Sequence, residues 1–225
     1  MTEELTPQED AMQPHLREGE RGLELVSGSL TIRGDFTRMA NRLKPSNLNR
    51  ELLVRAAKIR GATSQLTAID ATAGLGEDSL LLAAAGFEVT MYERNPTIAA
   101  LLKDAIERAS LVPNLCAIVE HMHVVEGNSI DGLRNAQTEP DIVLLDPMFP
   151  EKHKRASAKK KLQLLQQLES PCEDEIALLE AAIAANPRKV VIKRPVKGPY
   201  LAGRKPDYSL TGKTIRYDCI TCRTH

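Results

Sequence analysis

The stretch AIDATAGLGEDSLLLAAAG, residues 68–86, ends an apolar run in an acid, Asp70, and then places Gly74 and Gly76 one residue apart before a run of leucines and alanines. A short strand, a glycine-bearing turn and a helix form the repeating unit of a parallel α/β sheet. The pattern continues outward. Strands are predicted at 66–70, 87–93 (FEVTMYE), 122–127 (MHVVEG), 141–146 (DIVLLD) and 189–195 (KVVIKRP), with helices at 79–85 and 96–109 between them. Short strands rich in Val, Ile and Leu, alternating with helices, indicate a sheet covered on both faces. The fold class is therefore α/β, a doubly wound and mostly parallel sheet, and residues 208–220, split by Thr211-Gly212-Lys213, predict a closing antiparallel hairpin.

Upstream of this unit, residues 1–20 are polar and expected to be loosely held, and 23–26 with 30–36 around Ser27-Gly28-Ser29 predict a β-hairpin. Leu48, Leu52, Leu53, Ala56 and Ile59 recur at helical spacing over 47–59, behind a Ser46 cap and ahead of Gly61. Residues 161–185 predict a helical region interrupted at Ser170-Pro171. Two parts follow: an N-terminal extension, 1–45, carrying the hairpin, and an α/β domain, 46–225.

A chain of 225 residues with 42% apolar and 27% charged residues can bury one sizeable core. No apolar run approaches the ~20 residues of a membrane span, and the acidic start MTEELTPQED lacks the features of a signal peptide, so a cytoplasmic location is expected. Cys116, Cys172, Cys219 and Cys222 are too scattered for a disulfide framework, and the terminal Cys-x-x-Cys has no second pair to complete a zinc site. His121 and His123 share one face of a strand without a third ligand, so no metal is expected.

The net charge is zero, but the charges are sorted: residues 151–161 hold six Lys or Arg against one Glu, and residues 186–205 hold seven against none. Both runs follow predicted strands, so both fall at the carboxyl edge of the sheet, where open α/β folds bind ligands. Charge runs are usually solvated surface. Their position gives these two a further role, as a rim for a polyanion such as an RNA backbone.

At that edge, Gly74 and Gly76 let the backbone approach a ligand, and the helix start near Glu77 and Asp78 offers N–H groups to an anion. Asp70 suits a ligand that also carries an ammonium group. Glu93 ends the next strand 23 residues after Asp70, the place from which an acid accepts hydrogen bonds from both hydroxyls of a ribose. An adenosine-like ligand is implied, although Glu93 could also cap the helix that begins at Pro96. Ser79 stands where a dinucleotide fingerprint has its third glycine, which weighs against a dehydrogenase. After the third strand, Gly127-Asn128-Ser129 offers short polar side chains to a base edge, though such residues are also ordinary turn formers.

The fourth strand ends in VLLDPMFPEKHKR, residues 143–155. The order of glycine loop, acid, polar turn and Asp-Pro-x-Phe resembles class I S-adenosylmethionine-dependent methyltransferases acting on amino nitrogens. The strings DATAGLGEDS, YERNP and DPMFP together resemble the ribosomal RNA small subunit methyltransferase J family, over about residues 70–195. Met148 departs from the broader Asp-Pro-Pro-Phe/Tyr form and matches the narrower family. The resemblance implies a Rossmann-like methyltransferase domain, S-adenosyl-L-methionine as cofactor, and transfer of a methyl group to N2 of a guanosine in 16S rRNA.

It further implies that Asp70, Gly74, Gly76, Glu77, Asp78, Glu93, Arg94, Asn128, Ser129 and Asp146 line the cofactor. Asp146, Pro147 and Phe149 would act on the base. Met148, Pro150, Lys152, Lys154, Arg155, Lys193 and Arg194 would meet the RNA, with the N-terminal hairpin helping to select it.

The chemistry is consistent with those residue types. An exocyclic amine is a poor nucleophile because its lone pair is delocalised into the ring, so a catalyst gains by holding its N–H groups and aiming the nitrogen. The Asp146 carboxylate and the Pro147 carbonyl can each accept one N–H, with proline fixing the turn. Phe149 can stack on an extruded base. An amino methyltransferase for a protein or small molecule, and a nucleotide- or RNA-binding module without catalysis, remain the alternatives. Neither needs the basic rim and the Asp-Pro turn together.

Overall fold

In the strand Ile142–Leu145, Ile142 and Leu144 pack into one hydrophobic layer and Val143 and Leu145 into another, and all four are fully buried. Side chains alternate across a strand, so a strand that is apolar at every position needs cover on both faces. The computed structural model describes residues 13–62, 64–147 and 174–223 and supplies that cover. Expectations for Met148, Phe149, Pro150, Lys152, Lys154, Arg155 and the first half of the 161–185 helix lie outside the described residues.

The strands are β1 (His15–Gly19), β2 (Gly22–Ser27), β3 (Leu30–Ile32), β4 (Leu66–Asp70), β5 (Phe87–Glu93), β6 (Met122–Glu126), β7 (Ile142–Leu145), β8 (Lys189–Pro195), β9 (Tyr208–Thr211) and β10 (Ile215–Thr221). The helices are α1 (Pro45–Leu48), α2 (Leu52–Ala57), α3 (Glu77–Ala84), α4 (Pro96–Ser110), α5 (Cys116–Val119), α6 (Ser129–Arg134) and α7 (Glu175–Ala184). Seven strands form one sheet in the order β6-β5-β4-β7-β8-β10-β9. The pairs from β6 to β8 are parallel, and β10 runs antiparallel to both neighbours. The α/β fold with its antiparallel closing hairpin is thus the one expected.

From β4 the chain winds to β5 and β6 on one side, then returns to place β7 on the other side of β4. The carboxyl ends of β4 and β7 diverge at that reversal, which opens a crevice. Helices α2 to α5 cover the face that carries Ile142 and Leu144, while α6 and α7 cover the opposite face. Leu178, Leu179, Ala181 and Ala182 of α7 supply much of the second layer.

The structure corrects three local expectations. Residues 15–19, read as loosely held, form β1 and extend the hairpin to a three-stranded antiparallel meander. Residues 47–59 form two short helices, because Glu51 has an extended backbone (ψ 131°) and gives its carboxylate to both arms of the Arg42 guanidinium at 2.8 Å. The start of α1 is set by Pro45 in its first turn, with no side-chain cap from Ser46. Helices α5 and α6 had no clear sequence signal, being only four and six residues long.

The meander is fastened to the α/β domain. Leu25 and Ile32 share a buried cluster with Leu101 of α4, and Leu75, between the two glycines of the crevice loop, packs against the same cluster. The Leu23 amide donates to Asp104 of α4 at 3.1 Å, and Arg108 donates to the Gly34 carbonyl at 2.5 Å. The N-terminal sheet therefore buttresses the glycine loop from outside.

Candidate active site

A cleft of about 420 Å³ occupies the reversal point, lined by the ends of β4 to β8, and its size suits a small ligand. Gly74 (φ 53°) and Gly76 (φ 76°) both take left-handed backbone conformations that glycine adopts without strain. They differ in surroundings. A Cβ at Gly74 would meet no atom within 4 Å, whereas one at Gly76 would lie 2.5 Å from Leu102 Cδ1 and 3.2 Å from Phe36 Cζ. Gly74 keeps the cleft wall bare; Gly76 lets the loop sink onto α4 and the N-terminal segment.

Asp70 is 2% exposed and accepts from the Ser79 hydroxyl at 2.6 Å and the Thr72 amide at 3.1 Å. Burial pushes its pKa up to about 7, against the two hydrogen bonds, with the nearby Asp78 and Asp146 charges adding to the rise. Ser79, which replaces the third glycine of a dinucleotide fingerprint, is itself fully buried. Its hydroxyl satisfies the carboxyl group that the strand end places there.

Glu93 is nearly buried. One carboxylate oxygen accepts from the Gly74 amide at 3.0 Å and the other from the Asn95 amide at 2.8 Å. Burial raises its pKa, with the backbone N–H groups acting in the opposite direction. A carboxylate has about four acceptor positions, so each oxygen keeps capacity for a ligand hydroxyl. Helix α4 is capped by Asn95, not Glu93, since Asn95 Oδ1 accepts from Thr97 and Ile98. Asn128 caps α6 through Ile130, which engages its oxygen, and Ser129 begins that helix on the cleft wall.

Asp146 extends from β7 at the mouth of the cleft. Its amide donates to the Thr72 hydroxyl at 2.7 Å, and its carboxylate meets Lys193 Nζ at 2.8 Å. The same ammonium reaches Asp78 at 2.6 Å. Burial disfavours the charge on Lys193, but Asp78 and Asp146 outweigh it and hold its pKa well above the usual lysine range. Register explains the contact: Leu145 pairs with Ile192, so the next residues, Asp146 and Lys193, lie side by side and face the same way.

Two residues expected on the RNA-facing rim are therefore reassigned. Lys193 points into the cleft. Arg194, one position on, points to the opposite face, where it is 1% exposed, donates to the Pro199 carbonyl at 3.0 Å and lies 3.6 Å from Glu175. Because the strand continues to Pro195, alternation separates the Lys-Arg pair, burying Arg194 and leaving Lys193 partly exposed at the cleft. His121 and His123 flank Glu88 at the surface, and no group of metal-ligating side chains occurs among the described residues.

The chain matches the SAM-dependent methyltransferase model SAM_MT over residues 4–221. It is 42% identical over 207 residues to the ribosomal RNA small subunit methyltransferase J of Pseudomonas paraeruginosa, covering 89% of this chain and 79% of that one. The chain belongs to this family. The corresponding protein of Thioalkalivibrio sulfidiphilus is 41% identical over 191 residues, covering 83% and 74%. A SAM-dependent methyltransferase from Neisseria gonorrhoeae of known crystal structure superposes with a TM-score of 0.75 at 32% identity, covering 98% of this chain and 86% of that one.

As a methyltransferase J family member, the protein uses S-adenosyl-L-methionine, and the cleft is suited to it. Its buried carboxylates, each with acceptor capacity left, and its bare glycine wall fit a ligand with a ribose and a cationic amino acid portion. All the expected cofactor-lining positions, including Arg94 and Glu77, line this one cleft. Sequence reasoning missed Thr72, Tyr92, Ile130 and Leu178, which line it too. Thr72 carried no signal, since its part is a contact with a residue 74 positions away. Lys193 did carry one, had the parity of β7 and β8 been counted from their apolar runs.

Proposed function

We propose that this protein transfers a methyl group from S-adenosyl-L-methionine to the exocyclic N2 of a guanosine in 16S ribosomal RNA, in the cytoplasm. The observation that carries this reading is the contrast at the cleft: Asp70 and Glu93 are buried, while the Asp146 side chain is 38% exposed at the mouth and fixed by Lys193. Buried acids suit a held cofactor, and a presented acceptor suits an incoming amine.

In this reading Glu93 accepts from the ribose hydroxyls, and Asn128 and Ser129 face the base. Gly74, Gly76, Glu77, Asp78 and Arg94 surround the remainder, with Asp70 near the amino group. The cofactor supplies a sulfonium methyl, an electrophile that needs no metal. Asp146 accepts one N–H of the guanine amine and the Pro147 carbonyl another, so the nitrogen is aimed without a strong base. Phe149, with Met148 and Pro150, stacks on the extruded base, while Lys152, Lys154 and Arg155 meet phosphate. The N-terminal segment, 1–45, contributes to RNA selection.

The test is methylation of small-subunit RNA or subunits from a strain lacking the protein, using labelled donor and mass mapping of the product. One added methyl on a guanine N2, absent from the deletion strain, is the expected result. Incorporation into protein alone, or none, overturns the reading.

A further inference from the structure

Tyr200 is 41% exposed, in a chain with no Trp and few other aromatics. Its ring lies over the guanidinium of Arg216, 5.2 Å from centroid to Cζ, within the range of a cation–π contact. Arg216 is itself buried and fixed. It donates to the carbonyls of Pro195 (2.6 Å), Val196 (2.8 Å) and Gly198 (3.0 Å), and its Nε donates to Asp218 at 2.9 Å. Next along the chain, Leu201 is 1% exposed and anchored in the core layer beneath α7. An exposed ring is thus held between a buried cation below and a buried leucine beside it.

Three cations flank the ring in sequence. Lys197, Arg204 and Lys205 are exposed, and none forms an ion pair among the described residues. Arg17 and Arg38 on the surface have acidic partners, whereas Arg21, Arg50, Arg55 and Arg60 resemble the loop cations in forming no ion pair among the described residues. It is the place of the three cations beside an exposed ring that distinguishes them. The loop leaves β8 at Pro195, on the carboxyl edge of the sheet, two residues past the Lys193 that touches Asp146. A rigid exposed aromatic among cations without ion pairs, on the carboxyl edge of the sheet that also holds the cleft, has the composition of a single-stranded nucleic-acid platform: π-face for a base, charge for the backbone.

We propose that the loop of residues 195–205 binds the RNA strand next to the modified guanosine, with an unpaired base stacked on Tyr200 and phosphates against Lys197, Arg204 and Lys205. The inference rests on the proposed RNA methyltransferase activity and assigns a substrate contact outside the cofactor cleft. Pre-organisation is its physical basis, because a ring already fixed by Arg216 loses little freedom on binding. Tyr208 is an internal control. It is equally exposed and stacks with Lys189, but Lys189 begins β8, so Tyr208 sits at the opposite edge of the sheet from Asp146.

The experiment measures binding of a small-subunit RNA fragment spanning the modified guanosine, alongside S-adenosylhomocysteine affinity and melting temperature. Tyr200→Ala is expected to weaken RNA binding roughly 5- to 150-fold, the range for loss of one base–aromatic stack. Tyr200→Phe should stay within about twofold, since the ring is what stacks. Tyr200→Leu, which keeps apolar cover on Arg216 without a flat ring, should resemble the alanine variant even where alanine loosens the loop. Tyr208→Ala should bind as wild type. Replacing Lys197, Arg204 and Lys205 together by alanine should lower the slope of log affinity against log salt by about 2, at ~0.7 per phosphate contact on a single strand. Unchanged RNA affinity in Tyr200→Ala and Tyr200→Leu, in a protein whose wild type binds and methylates RNA, overturns the platform alone. Failure of the wild type to bind or methylate RNA overturns the proposed activity itself.

Discussion

Lys193 Nζ stands 2.8 Å from the Asp146 carboxylate, joining the end of β8 to the acid that ends β7. With Asp78 at 2.6 Å on its other side, the lysine bridges two acids and fixes where Asp146 points. Asp146→Ala should therefore leave cofactor binding within a few-fold of wild type and abolish methyl transfer. Full turnover in that variant would sink the assignment of Asp146 to the amine.

Lys193→Met tests the bridge itself. Removing one partner of a buried ion pair costs about 3–5 kcal/mol. Partial exposure of Lys193 and Asp146 brings the expectation down to about 2 kcal/mol, or a melting temperature lower by roughly 4–8 °C. Turnover should fall more than cofactor affinity, because the orientation of Asp146 is lost while Glu93 and the glycine loop are untouched. The raised pKa of Lys193 means that its charge, and the stability it contributes, persist through neutral pH and are lost only in strongly alkaline solution. A wild-type melting curve that loses this contribution near pH 8 would contradict that sign.

Asp70 gives a pH dependence of the same sign in a lower range. Its pKa, about 7 in the fold against an ordinary 3.8, means the folded state holds a proton that the unfolded state lacks between those values. The stability owed to this group is therefore present below about pH 4 and lost as pH rises to about 7. A cationic cofactor favours the ionised carboxylate, so its affinity should increase from pH 5.5 to 7.5. Asp70→Asn should flatten that profile, and Ser79→Ala, which removes the hydroxyl donor, should shift it to higher pH. Titration of S-adenosylmethionine by calorimetry across the range checks all three, and a flat wild-type profile would remove Asp70 from the cofactor's cationic end.

How much of this could be read in advance follows from the range over which each interaction acts. The β4–α3 unit, the Glu93 strand end and the closing hairpin are written in local periodicity, and the structure has them within a residue or two of expectation. The Thr72–Asp146 hydrogen bond joins residues 74 positions apart, and the Glu51 break rests on Arg42 outside the helical repeat, so neither leaves a mark in local periodicity. The Lys193-Arg194 pair was misjudged for another reason. Position at the carboxyl end of the strand placed both on the rim, although a strand that alternates through Pro195 must send them to opposite faces.

The two loop glycines separate binding from stability. At Gly76 an added Cβ would overlap Leu102 and crowd Phe36, at a φ that alanine resists, so Gly76→Ala should destabilise by about 2–4 kcal/mol. At Gly74 the strain is confined to φ, about 1 kcal/mol, but the new methyl group would project into open space where the cleft has its bare wall. Thermal melts with and without S-adenosylhomocysteine distinguish the two. Gly74→Ala should melt near the wild type and lose most of its ligand-induced shift, whereas Gly76→Ala should melt low in both conditions.

Leu25 tests whether the N-terminal meander and the cofactor loop act as one unit. It is fully buried among Ile32, Leu101 and the partly buried Leu75, and truncation of a core leucine costs about 2–5 kcal/mol. In a chain of this size that is about 2–4 °C of melting temperature per kcal/mol. The informative readout is the ligand. Leu75 sits between Gly74 and Gly76, so a cavity behind it frees the loop that carries the Gly74 amide, the donor that orients Glu93 at 3.0 Å. Leu25→Ala should therefore weaken S-adenosylhomocysteine binding several-fold although Leu25 does not line the cleft. Val190→Ala, an equally buried change near the start of β8 on the other face of the sheet, serves as the comparison for general loss of stability. If both variants lose stability and only Leu25→Ala loses affinity, the meander supports the cofactor loop; equal affinities would mean that it is joined to the domain without acting on the site.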